Sequence, residues 1–352
     1  LHSCAFFLEG PLGPGGFDRE RLVPVLYSST VGHDAVTDRL RAAAEFRDIR
    51  GLTDDQAAAL VEADGIDIMV DLNGWFMLPH MRLLSRRVAP IQATYLGYAN
   101  TTGVAAIDLR IVDGVTDPVG HDWQCSERLA RVPGCFLCYT PGASWGEPRP
   151  SPACVDPGTP ITFGSFNNAR KIGASAARAW ARVLAAVPGS RLLIKSLDLP
   201  DALVPQFLGA MSAWGIPRER LVLHPFVQDI GEHVAVYERV DIAMDSFPYN
   251  GTTTTCEALW MGVPVVAWAG GCHRARVSAS ILRAIGAPEL VADSVDGYVE
   301  AAVALAGDRG SLARYRGSLR GRMAASGLCD ASGFAAGFEG VVREAWRAWC
   351  AK

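Results

Sequence analysis

A chain of 352 residues is longer than one ordinary hydrophobic core spans and suits two domains of roughly 150 residues each. With 49% hydrophobic and 20% charged residues it has the composition of a soluble globular protein. No apolar run approaches the roughly 20 residues of a membrane-spanning helix. A net charge of −4 without a dense basic stripe gives no sign of a nucleic-acid partner. The nine cysteines are odd in number and irregularly spread. The one CxxC pair, Cys135 and Cys138, sits in an apolar strand-like stretch, where an offset of three points the thiols to opposite faces. Neither a bridge nor a zinc set is expected, and the chain reads as a protein of the reducing cytoplasm.

No secretory signal is expected. Residues 3–9 read as a helix where an α/β domain normally opens with a strand, so a truncated start is expected. A Gly/Pro-rich loop covers residues 10–16, and residues 22–27 are strand-like, with Pro24 marking an edge or an irregular start. The spacing of Val36, Leu40, Ala43 and Ala44 predicts a helix over 34–46. A second helix covers 54–64, capped by Thr53 or Asp54. A buried strand at 66–71, a basic helix at 79–87, a strand at 91–96, a loop at 97–103 and a strand at 107–112 follow. This alternation predicts a parallel sheet with helices on both faces. Residues 139–160 hold six prolines and three glycines without periodicity, as an interdomain linker does.

A second βα series then begins. Strands are predicted at 160–165, 191–195, 221–223 and 240–244, alternating with helices at 175–187, 200–214 and 231–239. Helices at 274–286, 295–307, 310–324 and 332–351 close the second domain. The expected division is a first Rossmann-like domain at 1–140, a linker at 141–159, a second Rossmann-like domain at 160–330 and a C-terminal helix at 331–352. Two such domains create a cleft, a preferred place for ligands.

Residues 241–266 read as strand, polar loop, helix, strand. Pro248 with Asn250 and Gly251 makes the turn, and the threonines Thr252, Thr253, Thr254 and Thr255 lead into a helix from Cys256 that stops at Gly262. A Thr run can simply cap a helix. Amides and hydroxyls left over at such an end form an anion site, and loops at the carboxyl ends of α/β strands are where these folds bind nucleotides.

The segment Ala89, Pro90, Gln92, Leu96, Gly97, Tyr98, the segment Phe163, Phe166, Asn167, Asn168, Lys171, and the loop from Asp245 through Thr254 carry a resemblance in their order and spacing. Glu257, Trp260 and the run Arg276 to Ser280 extend it. Over nearly its whole length the chain resembles the catalytic region of the O-GlcNAc transferase/SPINDLY family, closest to its bacterial members. The resemblance implies the GT-B architecture. It also implies inverting, metal-independent transfer of N-acetylglucosamine from UDP-GlcNAc to Ser or Thr hydroxyls of proteins. In that family tetratricopeptide repeats precede this region and help present the acceptor; none stands in this sequence.

What the resemblance implies for residues is specific. Lys171 matches the diphosphate-binding lysine; a lysine or backbone N–H groups commonly meet the leaving group's charge where no metal does. An ordinary helix-start lysine would merely be solvated. Thr252, Thr253 and Thr254 match the loop cupping the diphosphate, after Asn250 and Gly251, with Thr252 where the family often has His. Glu257 stands where an acidic residue holds the ribose hydroxyls, Asn168 on the diphosphate side, and His233 where a histidine contacts the base, its plain alternative being a surface helix histidine. The family's second lysine near His233 is replaced by Asp229, Ile230 and Gly231. His2 matches a histidine near donor and acceptor, an early candidate for general base, though the donor phosphate or a water relay serve as alternatives. Gly97 matches a position beside the sugar, where the absence of Cβ permits close approach. Tyr98-Ala99 and Asp71 to Trp75 depart from the family pattern.

No metal or cofactor is expected beyond the nucleotide sugar. GDP-fucose as donor remains an alternative within the family. A UDP-GlcNAc 2-epimerase shares the architecture but would need carboxylates facing the sugar. A non-catalytic nucleotide-sugar-binding domain is the third reading.

Overall fold

The structure is a computed structural model describing residues 3–142, 145–156, 158–195, 203–225 and 227–352. It divides into two compact units, Leu1–Thr140 with Gly327–Lys352, and Pro141–Ser326.

The first unit opens with α1 (Ala5–Leu12), which continues through Pro11 where a loop is expected. Then come β1 (Val25–Ser28), α2 (Ala35–Ala43), β2 (Glu45–Asp48), α3 (Asp54–Ala63), β3 (Ile68–Asp71), α4 (Leu78–Leu84), β4 (Ile91–Thr94), β5 (Leu109–Asp113) and β6 (Arg128–Val132). Local chemistry sets the helix starts: Asp34 and Thr53 each accept a bond from the backbone three residues on, in reciprocal capping boxes with Thr37 and Gln56. The helix predicted over 34–46 stops early, and Glu45–Asp48 turns extended to pair in parallel with Val25–Ser28. Pairing between distant segments overrides the helical pattern there. The strand β6 was not foreseen either. Cys135 and Cys138 follow it instead of lying in a strand, and burial pushes the Cys138 thiol up to about 12.

The strands form a two-stranded sheet, β1-β2, and a four-stranded one, β3-β4-β5-β6, with every pair parallel. β4 and β5 are buried on both faces, as parallel strands under two helix layers are.

The second unit contains α5 (Pro152–Val155), β7 (Thr162–Ser165), α6 (Ala174–Ala186), β8 (Arg191–Lys195), α7 (Leu203–Ala213), β9 (Leu221–His224), α8 (Ile230–Ala235) and β10 (Ile242–Met244). It continues with α9 (Thr253–Trp260), β11 (Val265–Trp268), α10 (Val277–Ala284), β12 (Val291–Ala292), α11 (Val295–Gly307) and α12 (Arg309–Ala324). The predicted start of the helix at 200–202 lies outside the described residues. One parallel six-stranded sheet runs β12-β11-β10-β7-β8-β9. Trp180 of α6 donates to the Tyr298 hydroxyl of α11 (2.9 Å), and that hydroxyl donates to the Asp245 carbonyl at the end of β10 (2.9 Å). Helix packing behind the sheet thus fixes the strand end that carries the site.

The last helix, α13 (Ala331–Cys350), packs on α1, β4 and β6 of the first unit, although its sequence position suggested that it closes the second domain. Its stripe Phe334, Phe338, Val342 and Ala345 is buried, and both phenylalanine rings meet Tyr95. Among the described residues no helix is long and apolar enough to cross a membrane.

Candidate functional site

The order of the six-stranded sheet reverses at one place. From β7 the chain builds β8 and β9 to one side, then returns to lay β10, β11 and β12 on the other. The carboxyl ends of the adjacent strands β7 and β10 are therefore the crevice where open α/β sheets bind ligands. The loops leaving those two ends carry Phe166 to Lys171 and Asp245 to Thr252.

A buried carboxylate ties the two loops together. Asp245 Oδ1 accepts from the backbone N–H groups of Ser246 (2.9 Å) and Gly251 (2.7 Å) and from Asn167 Nδ2 (3.1 Å). Burial raises its pKa to about 6, against the pull of the Gly251 N–H, Ser278, Lys171 and Asn167. Asn167 Oδ1 accepts from the Thr254 hydroxyl (2.9 Å), so one amide clamps both strand ends and the helix start.

Gly251 is required at this knot. A Cβ there would stand 2.5 Å from Thr255 Oγ1, 2.7 Å from Thr254 Oγ1 and 3.0 Å from Asn167 Oδ1.

Lys171 ends a 3-10 turn after β7 and donates from Nζ to the Asn250 carbonyl (2.9 Å), with its ammonium 4.0 Å from the centre of the Tyr249 ring. Desolvation lowers its pKa to about 8, with Asp245 opposing the shift. The Asn250 side chain donates to the Ser246 carbonyl (3.0 Å), while its Oδ1 is buried without a hydrogen-bond partner among the described residues. Beside this, α9 begins at Thr253, earlier than the sequence suggests, with Thr252 as its N-cap residue. The capping role open to these threonines is not taken up: Thr252 makes no side-chain cap bond, Thr254 binds Asn167, and Thr255 binds Ser278 (2.9 Å). The first-turn N–H groups of a helix have no intrahelical acceptor and carry partial positive charge. A lysine on one loop and an uncapped helix start on the adjacent one make an anion site.

A second group of residues flanks the first. Glu257, one turn into α9 and buried, accepts at Oε2 from the Tyr237 hydroxyl (2.8 Å) and from His233 Nε2 (3.0 Å). Both bonds fall on Oε2, so Oε1 is the oxygen left to meet a ligand. The other ring nitrogen, His233 Nδ1, is in short contact with Lys195 Nζ at the end of β8. An ammonium can only donate, so His233 accepts at Nδ1 and carries its proton on Nε2. Burial lowers the Lys195 pKa, and the Glu257 charge opposes that shift. Phe166 stacks on Tyr237 with centroids 3.7 Å apart and meets the His233 ring edge-on.

The structure thus brings Lys171, His233, Asn250, Gly251, Thr252, Thr253, Thr254 and Glu257 to one end of one sheet. Asn168 lies on the same loop, but its side chain accepts from the Arg170 N–H (2.9 Å) and caps the turn; its neighbour Asn167 binds the other loop. Gly97 belongs to the first unit, and the close approach it permits is to backbone: a Cβ there would sit 1.9 Å from the Leu72 carbonyl oxygen. His2 lies outside the described residues. Sequence reasoning gave no role to Asp245, Asn167, Tyr237 or Lys195. A lysine closing the apolar run Leu192, Leu193, Ile194, at the carboxyl end of a parallel strand, was the available signal for the last.

Comparison with known proteins bears on the family and the fold. The model of glycosyl transferase family 41 matches residues 14–140 and 154–338. A probable UDP-N-acetylglucosamine–peptide N-acetylglucosaminyltransferase SPINDLY of Solanum lycopersicum is 40% identical over 99% of this chain and 38% of its own length. The chain therefore spans little more than a third of that relative. The solved structure of a mutant O-GlcNAc transferase from Thermobaculum terrenum superposes with a TM-score of 0.92 at 35% identity, covering 99% of this chain and 66% of that one. At 12% identity, Anabaena HepE in complex with UDP and glucose has a TM-score of 0.58 over 97% of this chain and 96% of its own, a likeness of fold alone. By the family match, over most of its length, this chain belongs to glycosyltransferase family 41.

Proposed function

We propose that this chain is the catalytic region of a protein O-GlcNAc transferase, inverting and independent of metal, working in the cytoplasm with UDP-GlcNAc as donor. The observation that carries the reading is the Lys171–Asn250 contact beside the uncapped start of α9, held at the sheet's switch point by Asp245 and Asn167. The names of the relatives supply the sugar and the acceptor class.

In this mechanism the Ser or Thr hydroxyl of an acceptor attacks the anomeric carbon from the face opposite the diphosphate. The bond from that carbon to the phosphate oxygen breaks, and the hydroxyl proton passes to a base, the role proposed for His2. Negative charge grows on the departing UDP. The Lys171 ammonium and the first-turn N–H groups of α9 are aimed where that charge develops, and fixed donors of this kind are the largest single source of rate enhancement in many enzymes. The Glu257 carboxylate, oriented by Tyr237 and His233, accepts from the ribose hydroxyls. Gly97 and Asn168 are assigned to the sugar and diphosphate surroundings on the resemblance alone.

The test is transfer of labelled sugar to Ser/Thr-containing proteins in EDTA, with UDP-GlcNAc and GDP-fucose compared. The proposal expects GlcNAc attached through a β-linkage, read from the anomeric proton coupling. Fucose transfer instead would move the donor to GDP-fucose, and transfer that stops in EDTA would contradict the metal-free mechanism.

A further inference from the structure

The loops that leave the adjacent strands β3 and β4 meet at the carboxyl end of the first unit's four-stranded sheet, the end where such sheets take ligands. They interlock at two glycines. A Cβ on Gly97 has no room against the Leu72 carbonyl, and one on Gly74, whose φ is +56°, would stand 2.1 Å from the Tyr98 Cβ. On this knot ride Trp75, Phe76 and Met77, three consecutive large apolar residues that are 44%, 62% and 38% exposed. Trp75 Nε1 donates to the Thr102 carbonyl (2.8 Å), and the Phe76 ring meets the half-buried Tyr98 ring edge-on at 5.7 Å. These side chains are exposed and yet held in place.

The charges that fix this ledge lie beneath it. Arg110 of β5, buried, donates to the Tyr98 carbonyl (3.2 Å) and to the Asn100 carbonyl. Glu127, also buried, accepts from the Thr101 hydroxyl (2.7 Å) and the Thr102 N–H (2.6 Å). Asp71, buried at the end of β3, accepts from the Gly74 N–H (2.7 Å) and the Asn73 N–H (3.2 Å). Above them, residues 72–79 and 95–107 contain no Asp, Glu, Lys or Arg, in a chain of which 20% is charged. Contiguous exposed apolar residues mark sites of association, and rigidly held aromatic rings make good anchors because little side-chain entropy is lost on binding. A neutral ledge offers no partner to a phosphate or an ionic side chain, and covering either against it costs desolvation. It suits an uncharged, apolar segment. The ledge includes Trp75, in the stretch where this chain departs from its family's pattern.

We infer that the ledge of Trp75 and Phe76 is an acceptor subsite. It takes one large apolar side chain of the polypeptide acceptor, within a few residues of the reactive Ser or Thr, and disfavours charged residues there. The inference rests on the transferase reading, which sets Gly97, on the same interlocked loops, beside the sugar. To that reading it adds the residues by which this chain chooses among hydroxyls.

The experiment offers the protein short Gly/Gln-rich peptides with one central Ser, in which each flanking position in turn becomes Phe, Leu, Glu or Lys. Transfer from UDP-GlcNAc is read as kcat/KM, and binding in the presence of UDP is read by fluorescence polarisation, which needs no turnover. At one or two positions Phe and Leu should raise kcat/KM and tighten binding at least fivefold over the parent peptide, while Glu and Lys lower both. Phe76→Ser and Trp75→Ala should each bring the Phe-to-parent ratio below twofold, with UDP affinity held within twofold. Trp75→Ala also removes the bond to Thr102, so Phe76→Ser, which removes no hydrogen bond, carries the test if the other variant unfolds. Transfer without preference at any position, or with the same preference in wild type and Phe76→Ser, overturns the subsite and leaves the transferase reading standing. Binding preference without transfer to any peptide supports the ledge as the peptide's seat and puts the failure in the transferase reading. Self-association that Phe76→Ser abolishes, without peptide preference, assigns the ledge to a second copy and overturns the inference.

Discussion

Gly251→Ala tests how tightly the two loops are locked. The added Cβ falls 2.5 Å from Thr255 Oγ1 and 2.7 Å from Thr254 Oγ1, short of an ordinary 3.4 Å contact by 0.9 and 0.7 Å. Neither hydroxyl is a loose chain end, since Thr255 is bonded to Ser278 and Thr254 to Asn167, each at 2.9 Å. Either both threonines rotate away and lose those bonds, at about 0.5–1.5 kcal/mol each, or the backbone shifts, at about 1–3 kcal/mol for overpacking. Either route costs roughly 1–3 kcal/mol, which for a unit of this size lowers the melting temperature by about 2–12 °C. Because the Thr254–Asn167 bond is what clamps the start of α9, UDP affinity should fall at least fivefold. Calorimetric melting and UDP titration read the two effects. Gly317→Ala is the control: nothing lies within 4 Å of its Cβ position, it is exposed within α12, and the change should stabilise by about 0.5–1 kcal/mol. Should Gly251→Ala melt with the wild type and bind UDP equally well, the packing argument for this loop is wrong.

Three further outcomes follow from the same geometry. With a pKa of about 8, Lys171 would meet the proposed diphosphate only as the cation, so UDP affinity should be full well below pH 8, begin to fall near it and drop up to tenfold per pH unit above it; Lys171→Met should bind weakly and without that slope in a titration series. Lys195→Met removes the ammonium from His233 Nδ1 while keeping the buried volume, so UDP binding should weaken about threefold to tenfold, by a lost charge-assisted bond's share of about 1 kcal/mol. The melting temperature should hold or rise, since a desolvated charge has gone; unchanged binding would remove Lys195 from the site. Asp241→Ala strips acceptors from the Ala153 N–H (3.0 Å), the Thr162 N–H (2.8 Å) and the Ser151 hydroxyl. It should cost the second unit about 2–5 kcal/mol in denaturant unfolding while leaving UDP affinity within twofold under native conditions.

The parts of this molecule legible from sequence are those whose signals are local. The strand Arg191–Lys195 and the helix Val295–Gly307 fall where predicted, because an apolar run between turn signals and a capped periodic stretch each specify their own structure. β2 was hidden because Glu45–Asp48 is strand only by virtue of β1, a partner about twenty residues away. The loops after β7 and β10 were legible as a site because motif order and strand ends coincide there. Which of two adjacent asparagines reaches across was not, since a turn can present either one; Asn167 is buried against Asp245, and Asn168 is spent on a cap. The Lys195–His233–Glu257 chain joins three separate elements, β8, α8 and α9, and only the fold brings them together.

The account rests most directly on a metal-free diphosphate site built around Lys171. Calorimetric titration of UDP into the protein in EDTA, beside Lys171→Ala, tests it with the fewest assumptions. The account predicts saturable binding by the wild type and at least a tenfold loss in the variant, about 1.4 kcal/mol or more. A folded wild-type protein that binds no UDP, or a variant that binds it equally well, would contradict it.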